Sequence, residues 1–275
     1  MKLVTDIADV TNAYNFAKEF KKGFNTNCFV TTEQFNKLIK NGVLFEIYLG
    51  EVAFFLKKNV GFLNLYYYAA SIDALAKALP KLLELTKDEI VVVDLVTKDE
   101  FCKEKLVFEE NRFNVYTSLV RMSCVGNRSH GEGANSVKVR NAVSEEAVAV
   151  KVLLTTYFDP RAEQLPDLDD LSVWIQQNNI ILFEEQGKVV GFIIYDLTAT
   201  TLYLRYWFVH PDFRDLKIGS QLYKEFLARG KDTQRQLFWV IRSNENAIKR
   251  YLHYGYKEEH MYNYVLINKQ VKYEN

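Results

Sequence analysis

The stretch Val209-His210-Pro211-Asp212-Phe213-Arg214-Asp215-Leu216-Lys217-Ile218-Gly219-Ser220-Gln221-Leu222 decides how the chain is read. Thr201 to Val209 in front of it has the aromatic and β-branched content of a strand. Pro211 stops that strand's ladder because it has no N–H to give. A polar bend follows, and a helix opens at Gly219-Ser220 and runs to about Ala228. Its Leu222, Tyr223, Phe226 and Leu227 form one apolar stripe. The first amides of a helix have no intrahelical partner and sit at its positive dipole end. Gly219 lets the backbone approach a ligand closely, and Arg214 and Lys217 add cationic charge. The bend is therefore either an anion cradle that suits a pyrophosphate or an ordinary capped helix with two solvated basic residues.

A second element stands downstream. Gln236 to Arg242 reads as a strand, and Ser243-Asn244-Glu245-Asn246-Ala247-Ile248-Lys249-Arg250-Tyr251-Leu252-His253-Tyr254-Gly255-Tyr256 follows it. Asn246 to Tyr254 reads as a helix with Ala247, Ile248, Tyr251 and Leu252 on one face, ended by Gly255. Asn244 or Asn246 caps it and still offers an amide to a ligand. The Tyr251 hydroxyl is either a proton donor or the tip of a core tyrosine. Upstream, Val137 to Ala142 alternates as a strand, Ser144 caps a helix, and Asp167 to Gln177 reads as another. Strands at Ile180–Glu185 and Lys188–Asp196 turn at Gln186-Gly187, and Tyr256 to Ile267 supplies the last strands.

The first half repeats this order. Helices are expected at Ala8–Lys22 and Thr32–Asn41, then strands at Val43–Leu49, Glu51–Leu56 and Phe62–Ala69. A helix follows at Ile72–Leu85, a strand at Glu89–Val96, a short helix at Asp99–Lys105 and strands around Phe108–Met122. Leu44-Phe45-Glu46 echoes Leu182-Phe183-Glu184, and Phe113-Asn114-Val115-Tyr116 echoes Tyr262-Asn263-Tyr264-Val265. The pattern is that of an internal duplication. Gly126 to Ser136, with three glycines and almost no apolar residue, reads as a linker between domains at 1–125 and 137–275. Only the second copy carries the long polar turn.

Composition narrows the classes. The 275 residues are 48% hydrophobic and 25% charged, as in a folded globular chain. Thirty-five Lys and Arg offset thirty-five Asp and Glu, which argues against a polybasic nucleic-acid binder. Twelve Gly and four Pro exclude collagen-like and low-complexity readings. Met1 to Asp6 reaches an acid before any long apolar run, so no signal peptide is expected. The longest nearly uncharged stretch, Val60 to Ile72, is too short for a bilayer. Cys28, Cys102 and Cys124 lack CxxC spacing and read as thiols in a reducing cytoplasm, with no metal expected.

Taken together, the two motifs resemble the GCN5-related N-acetyltransferase (GNAT) superfamily over about Val137 to Ile267. Arg214 to Gly219 looks like the family's acyl-CoA signature, Q/R-x-x-G-x-G/A, with Lys217 where a glycine is usual. Asn244-x-x-Ala247-Ile248-x-x-Tyr251-x-x-x-Gly255-Tyr256 matches its other cofactor-side motif. The resemblance implies an α/β (α+β) fold of two GNAT-like domains, each a mixed, mostly antiparallel central sheet flanked by helices, the first a degenerate copy. It implies that acetyl-CoA lies between parted strands at Thr201–Val209 and Gln236–Arg242. Backbone amides at Phe208 and Val209 would hold the thioester carbonyl. Arg214, Asp215, Leu216, Lys217, Ile218, Gly219 and Ser220 would hold the pyrophosphate, with Asn244, Asn246 and Ala247 also on the cofactor. Tyr251 would protonate the departing thiolate after direct attack by a primary amine of a small molecule or peptide. The base is Glu184, Asp196 or a water relay. Arg205 meets either an anionic substrate group or an acid on the next strand. Asp159, Glu163, Asp167, Asp169 and Asp170 either draw a cationic amine or form a solvated face. The alternatives are a CoA-sensing module without turnover and an aminoacyl-tRNA-dependent transferase, the latter disfavoured by the zero net charge. No nucleic-acid or membrane partner is expected.

Overall fold

The computed structural model describes residues 1–126 and 138–271. The expected linker, apart from Gly126, lies outside the described residues. The chain forms two compact units: Met1–Leu119 together with the chain from His260 onward, and Val120–Glu259.

The first half of the chain supplies β1 (Lys2–Leu3), α1 (Ile7–Glu19), β2 (Asn25–Thr26), α2 (Thr32–Lys40), β3 (Leu44–Leu49) and β4 (Val52–Asn59). It continues with β5 (Phe62–Ala69), α3 (Ile72–Leu85), β6 (Val91–Thr97), α4 (Lys103–Glu110) and β7 (Asn114–Val125). The second half supplies β8 (Val139–Asn141), α5 (Ala147–Tyr157), α6 (Leu168–Gln176), β9 (Ile180–Glu185), β10 (Lys188–Leu197) and β11 (Thr201–Val209). After these come α7 (Ile218–Arg229), β12 (Arg235–Ile241), α8 (Glu245–His253) and β13 (Lys257–Ile267). Two helices, three strands, a helix, a strand and a helix thus recur in the same order.

The strand order in the first unit is β1-β3-β4-β5-β6-β13, and in the second β7-β12-β11-β10-β9-β8. Both sheets are mixed and mostly antiparallel, with parallel pairing at β5/β6 and at β11/β12. β13 joins the first unit through antiparallel pairing of Tyr262–Ile267 with Thr97–Val92. Each sheet is therefore completed by a strand from the other half of the sequence, which a division at residues 125 and 137 does not describe. Edge pairing is a long-range backbone interaction and leaves no local pattern to read. Between the two portions of β13, His260 takes a left-handed φ of 49°.

Three sequence expectations need correction. Ser144 opens a short 3-10 turn, Ser144–Glu146, rather than α5 itself. The helix expected at Asp99–Lys105 starts only at Lys103 and runs to Glu110. Local bonds hold the residues before it in a turn: Asp99 N–H to Thr97 Oγ1, 3.0 Å, and Phe101 N–H to Asp99 Oδ1, 2.9 Å. The strand expected from Phe108 begins instead at Asn114, because Phe108 is the buried residue of α4. The short β1 and β2 were not anticipated.

In the second unit, β10 reads Lys-Val-Val-Gly-Phe-Ile-Ile-Tyr-Asp-Leu and is buried over most of its length, as expected of a strand covered on both faces. On one face Val150, Leu154, Leu171, Phe192, Ile194, Tyr206 and Phe208 form the core under α5 and α6. On the other, α7 presses against the sheet at Gly191. A Cβ there would lie 3.1 Å from Ile218 Cγ2, 3.1 Å from Leu222 Cδ1 and 3.2 Å from Phe208 O. The missing side chain thus sets the depth at which the start of α7 meets β11. Gly191→Ala is expected to destabilise the chain by about 1–3 kcal/mol, the usual cost of overpacking. A lowered urea midpoint with an unchanged m value would report it.

Candidate functional site

β11 and β12 bond in parallel at Thr201↔Arg235, Leu202↔Gln236 and Tyr203↔Leu237. Past these pairs the strands part, and their facing backbone groups lose each other as partners. Three rings mark the gap. Tyr251 of α8 has its ring centroid 4.2 Å from Phe238 on β12 and 6.0 Å from Trp207 on β11. Trp207 in turn stacks on Tyr223 of α7 at 5.1 Å. Tyr251 is buried, and no described residue hydrogen-bonds its hydroxyl. Burial, with Tyr223 and Tyr254 nearby, raises its pKa well above the ordinary phenol value. The hydroxyl therefore stays protonated at neutral pH.

The two predicted carbonyl-holding amides separate. His210 N–H donates to Val190 O of the β10 side, 2.8 Å. Backbone N–H groups alternate along a strand, so Val209 N–H points away from β10, toward the gap. Phe208 N–H points to β10, and the Phe208 side chain lies in the core.

Beyond Val209, Pro211–Leu216 forms a 3-10 turn that carries Arg214, Asp215 and Leu216, all exposed. Lys217 follows with φ 54° and ψ 24°, and α7 starts at Ile218 with no side-chain cap. The position where the related signature has glycine is thus left-handed here, occupied by a residue that pays a steric cost for it. Ile218 is fully buried and anchors the turn. Gly219 faces β11: a Cβ on it would lie 3.5 Å from Trp207 Cζ2 and 3.6 Å from Val209 Cγ2. Ser220 is exposed. The uncapped amides and the ring-lined gap are therefore adjoining features. No ion pair to a described residue engages Arg214 or Lys217.

At α8 the capping alternatives resolve. Asn244 Oδ1 accepts from Ala247 N–H at 3.1 Å, and Asn246 lies exposed within the helix. Ala247 is half-buried.

The acids proposed as bases are occupied. Glu184 is paired with Arg140 at 2.5 Å, and Asp196 with Arg205 at 2.5 Å. Arg205 thus meets the acid on the neighbouring strand, and it also lies over Trp174 at 5.0 Å. The acidic segment divides by role. Asp167 and Asp170 form a reciprocal cap on α6, while Asp169 is exposed. Glu163 belongs to the loop between α5 and α6, which Tyr206 of β11 pins by donating to Gln164 O at 2.7 Å. Its pKa is pushed up to about 7, chiefly by burial and also by the nearby Asp159 carboxylate. Glu163 lies close enough to Tyr206 to raise the phenol's pKa. The sequence marked Glu163 only as one of five acids, and nothing in its spacing sets it apart from the others.

Among the described residues, no group of three or more His, Cys, Asp or Glu is placed to hold a metal, and no helix is long and apolar enough to cross a membrane. The three cysteines are free.

Residues 148–256 match the family described as acetyltransferase (GNAT). The match lies within the second unit. Among solved structures, a GCN5-related N-acetyltransferase from Sphaerobacter thermophilus superposes with a TM-score of 0.61 at 12% identity, over 99% of this chain and 96% of that one. A conserved protein of unknown function from Enterococcus faecalis, described as a probable N-acyltransferase, gives 0.59 at 10%, over 97% and 71%. A GCN5-related N-acetyltransferase from Kribbella flavida gives 0.58 at 10%, over 97% and 70%. At these identities the likeness is one of fold. No curated protein matches the sequence.

Acyl-CoA, the cosubstrate usual in this family, fits the residues present. An uncapped helix start with two cations available to it suits a pyrophosphate, and a gap with a free strand amide suits an extended arm and its carbonyl. The strain at Lys217 gives a direct check. Lys217→Gly is expected to raise stability by roughly 1 kcal/mol, since glycine adopts φ > 0 without the Cβ penalty. Lys217→Val should lower it, and urea unfolding distinguishes the two.

Proposed function

We propose that the second unit moves an acetyl group from acetyl-CoA to a primary amine of a small molecule or peptide. The observation that carries this is the meeting of α7's uncapped start with the parted strands β11 and β12 at Gly219, Trp207 and Val209. The cosubstrate supplies an activated acyl thioester. The amides at Ile218, Gly219 and Ser220, with Arg214 and Lys217, hold its pyrophosphate. Asp215 and Leu216 shape the turn, and Asn244, Asn246 and Ala247 border the site from α8. Val209 N–H donates to the acyl oxygen, where negative charge develops during attack. Tyr251 Oη holds the proton that the departing sulfur needs. The Glu163 carboxylate, whose raised pKa suits a base, takes the proton released by the attacking amine through a water relay. The free cysteines fit a reducing compartment, the cytoplasm.

Two measurements test this reading. Acetyl-CoA at about 100 times its Kd should stabilise the chain by about 2.7 kcal/mol, seen as a rise in Tm. Tyr251→Phe should keep that rise while thiol release in the presence of an amine falls roughly 10²- to 10⁴-fold. No rise at millimolar acetyl-CoA defeats the proposal. A full rise with turnover unaffected by Tyr251→Phe removes Tyr251 from the mechanism.

Glu163 predicts a pH dependence. The carboxyl serves as base only when ionised, so kcat/KM should climb with pH through about 7 and level off above it. Glu163→Gln should lose that step. Stability gives a readout free of activity. A folded pKa of about 7, above the ordinary 4.5, means the folded chain binds more protons than the unfolded chain between these values. Stability should therefore fall as pH rises across that window, and Glu163→Gln should not show the fall.

A further inference from the structure

The first unit has its own parted strands. β5 and β6 pair in parallel only at Leu63↔Val91 and Asn64↔Val92. Beyond these residues the β5 backbone is again left with an edge whose amides and carbonyls need partners. β4 holds the other edge of β5 along its whole length, from Phe62 to Ala69.

A segment of the same chain takes the vacated edge. β2 pairs antiparallel with β5 at Asn25↔Ala69 and Thr26↔Tyr68. Thr26 Oγ1 donates to Tyr67 O at 2.6 Å. Asn27 then spans the two strands. Its Nδ2 donates to Leu65 O on β5 at 2.9 Å and to Asp94 O on β6 at 3.2 Å. Its Oδ1 accepts from Tyr67 N–H at 2.9 Å. Both amide hydrogens and the carbonyl of one side chain are thus engaged by backbone groups, and Asn27 is 8% exposed. Asn25 adds a tie to the next layer: it accepts from Tyr67 Oη at 2.8 Å and donates to Glu104 Oε1 of α4 at 2.5 Å.

The rest of the first unit agrees with an occupied gap. Ser71 Oγ caps α3 by accepting from Ala74 N–H at 3.1 Å, where α7 has no side-chain cap. Third from the end of α4 stands Phe108, fully buried, where α8 has Tyr251. A phenyl ring has no proton to give.

We infer that Asn25–Asn27 is the standing occupant of the first unit's interstrand gap, an internal ligand that closes it to an acyl-pantetheine arm. The chain then binds one equivalent of acyl-CoA. That count rests on the reading given for the second unit, whereas the occupancy does not.

Hydrogen exchange on the full-length chain without cofactor tests the occupancy. The Tyr67 amide is expected to be strongly protected. Asn27→Ala should raise its exchange roughly 10- to 100-fold, the effect of losing a buried hydrogen bond. Thr26→Val, which leaves the carboxamide bridge in place, should change it by less than about 3-fold. A Tyr67 amide that exchanges in the parent chain like an open peptide overturns the inference without any variant, as does an Asn27→Ala chain with unchanged protection. Calorimetric titration with acetyl-CoA tests the count. One equivalent per chain, abolished by Gly219→Leu, is the expected result. Two equivalents, or one that survives Gly219→Leu, overturns the single site. No binding at all defeats the transferase reading, while exchange at Tyr67 still decides what fills the first gap.

Discussion

Two parallel strands that bond for two or three residues and then diverge leave a strip of backbone donors and acceptors without partners. A buried peptide group without a hydrogen bond is costly enough that something must meet the strip. This constraint organises both units. In the first, the chain meets it from within, through β2 and the Asn27 carboxamide. In the second, the rings of Trp207, Phe238 and Tyr251 line the opening, and the Val209 amide faces into it. The same strand arrangement is therefore filled by the chain's own residues in the first unit and lined by aromatic rings in the second.

The surroundings of the second gap are set by packing more than by charge. Gly191 lets Ile218 and Leu222 sit against the sheet, and that depth brings the start of α7 level with Trp207 and Val209. The left-handed backbone at Lys217 turns the chain into the helix there. Most charged groups near the sheet serve structure. Arg140 bridges Glu146 and Glu184, Arg205 holds Asp196, and Glu259 joins Arg121 and Arg235. Outside these pairs stand Arg214 and Lys217 at the turn, the buried phenol of Tyr251 and the half-buried carboxyl of Glu163.

The positions of most elements were legible because their periodicities are local. Ile72–Leu85 was read to the residue, and β5, β9 and β11 were read in full. The turn before α7 and a cap at Asn244 or Asn246 were also visible, since motif spacing and capping chemistry depend on near neighbours, and the structure selects Asn244. Tyr251 was read correctly as a residue of α8, but its ring contacts come from three other elements. The helix expected at Asp99–Lys105 starts late because local bonds hold Asp99 and Phe101 in a turn. Glu163 looked like its acidic neighbours, and only its tertiary surroundings, which raise its pKa, set it apart.

The amino-acid order by itself determined most helices and strands, their recurring order and the turn before α7, because propensity, capping and alternation act over a few residues. Tertiary structure alone decided which strands complete each sheet, which acids are tied up in ion pairs and which parted strand pair is filled. Asn25 to Asn27 carry no pattern that announces a plug. Their role exists only because folding brings backbone groups from Leu65, Tyr67 and Asp94 around one carboxamide, and hydrogen bonds between residues so distant in sequence leave no periodic trace.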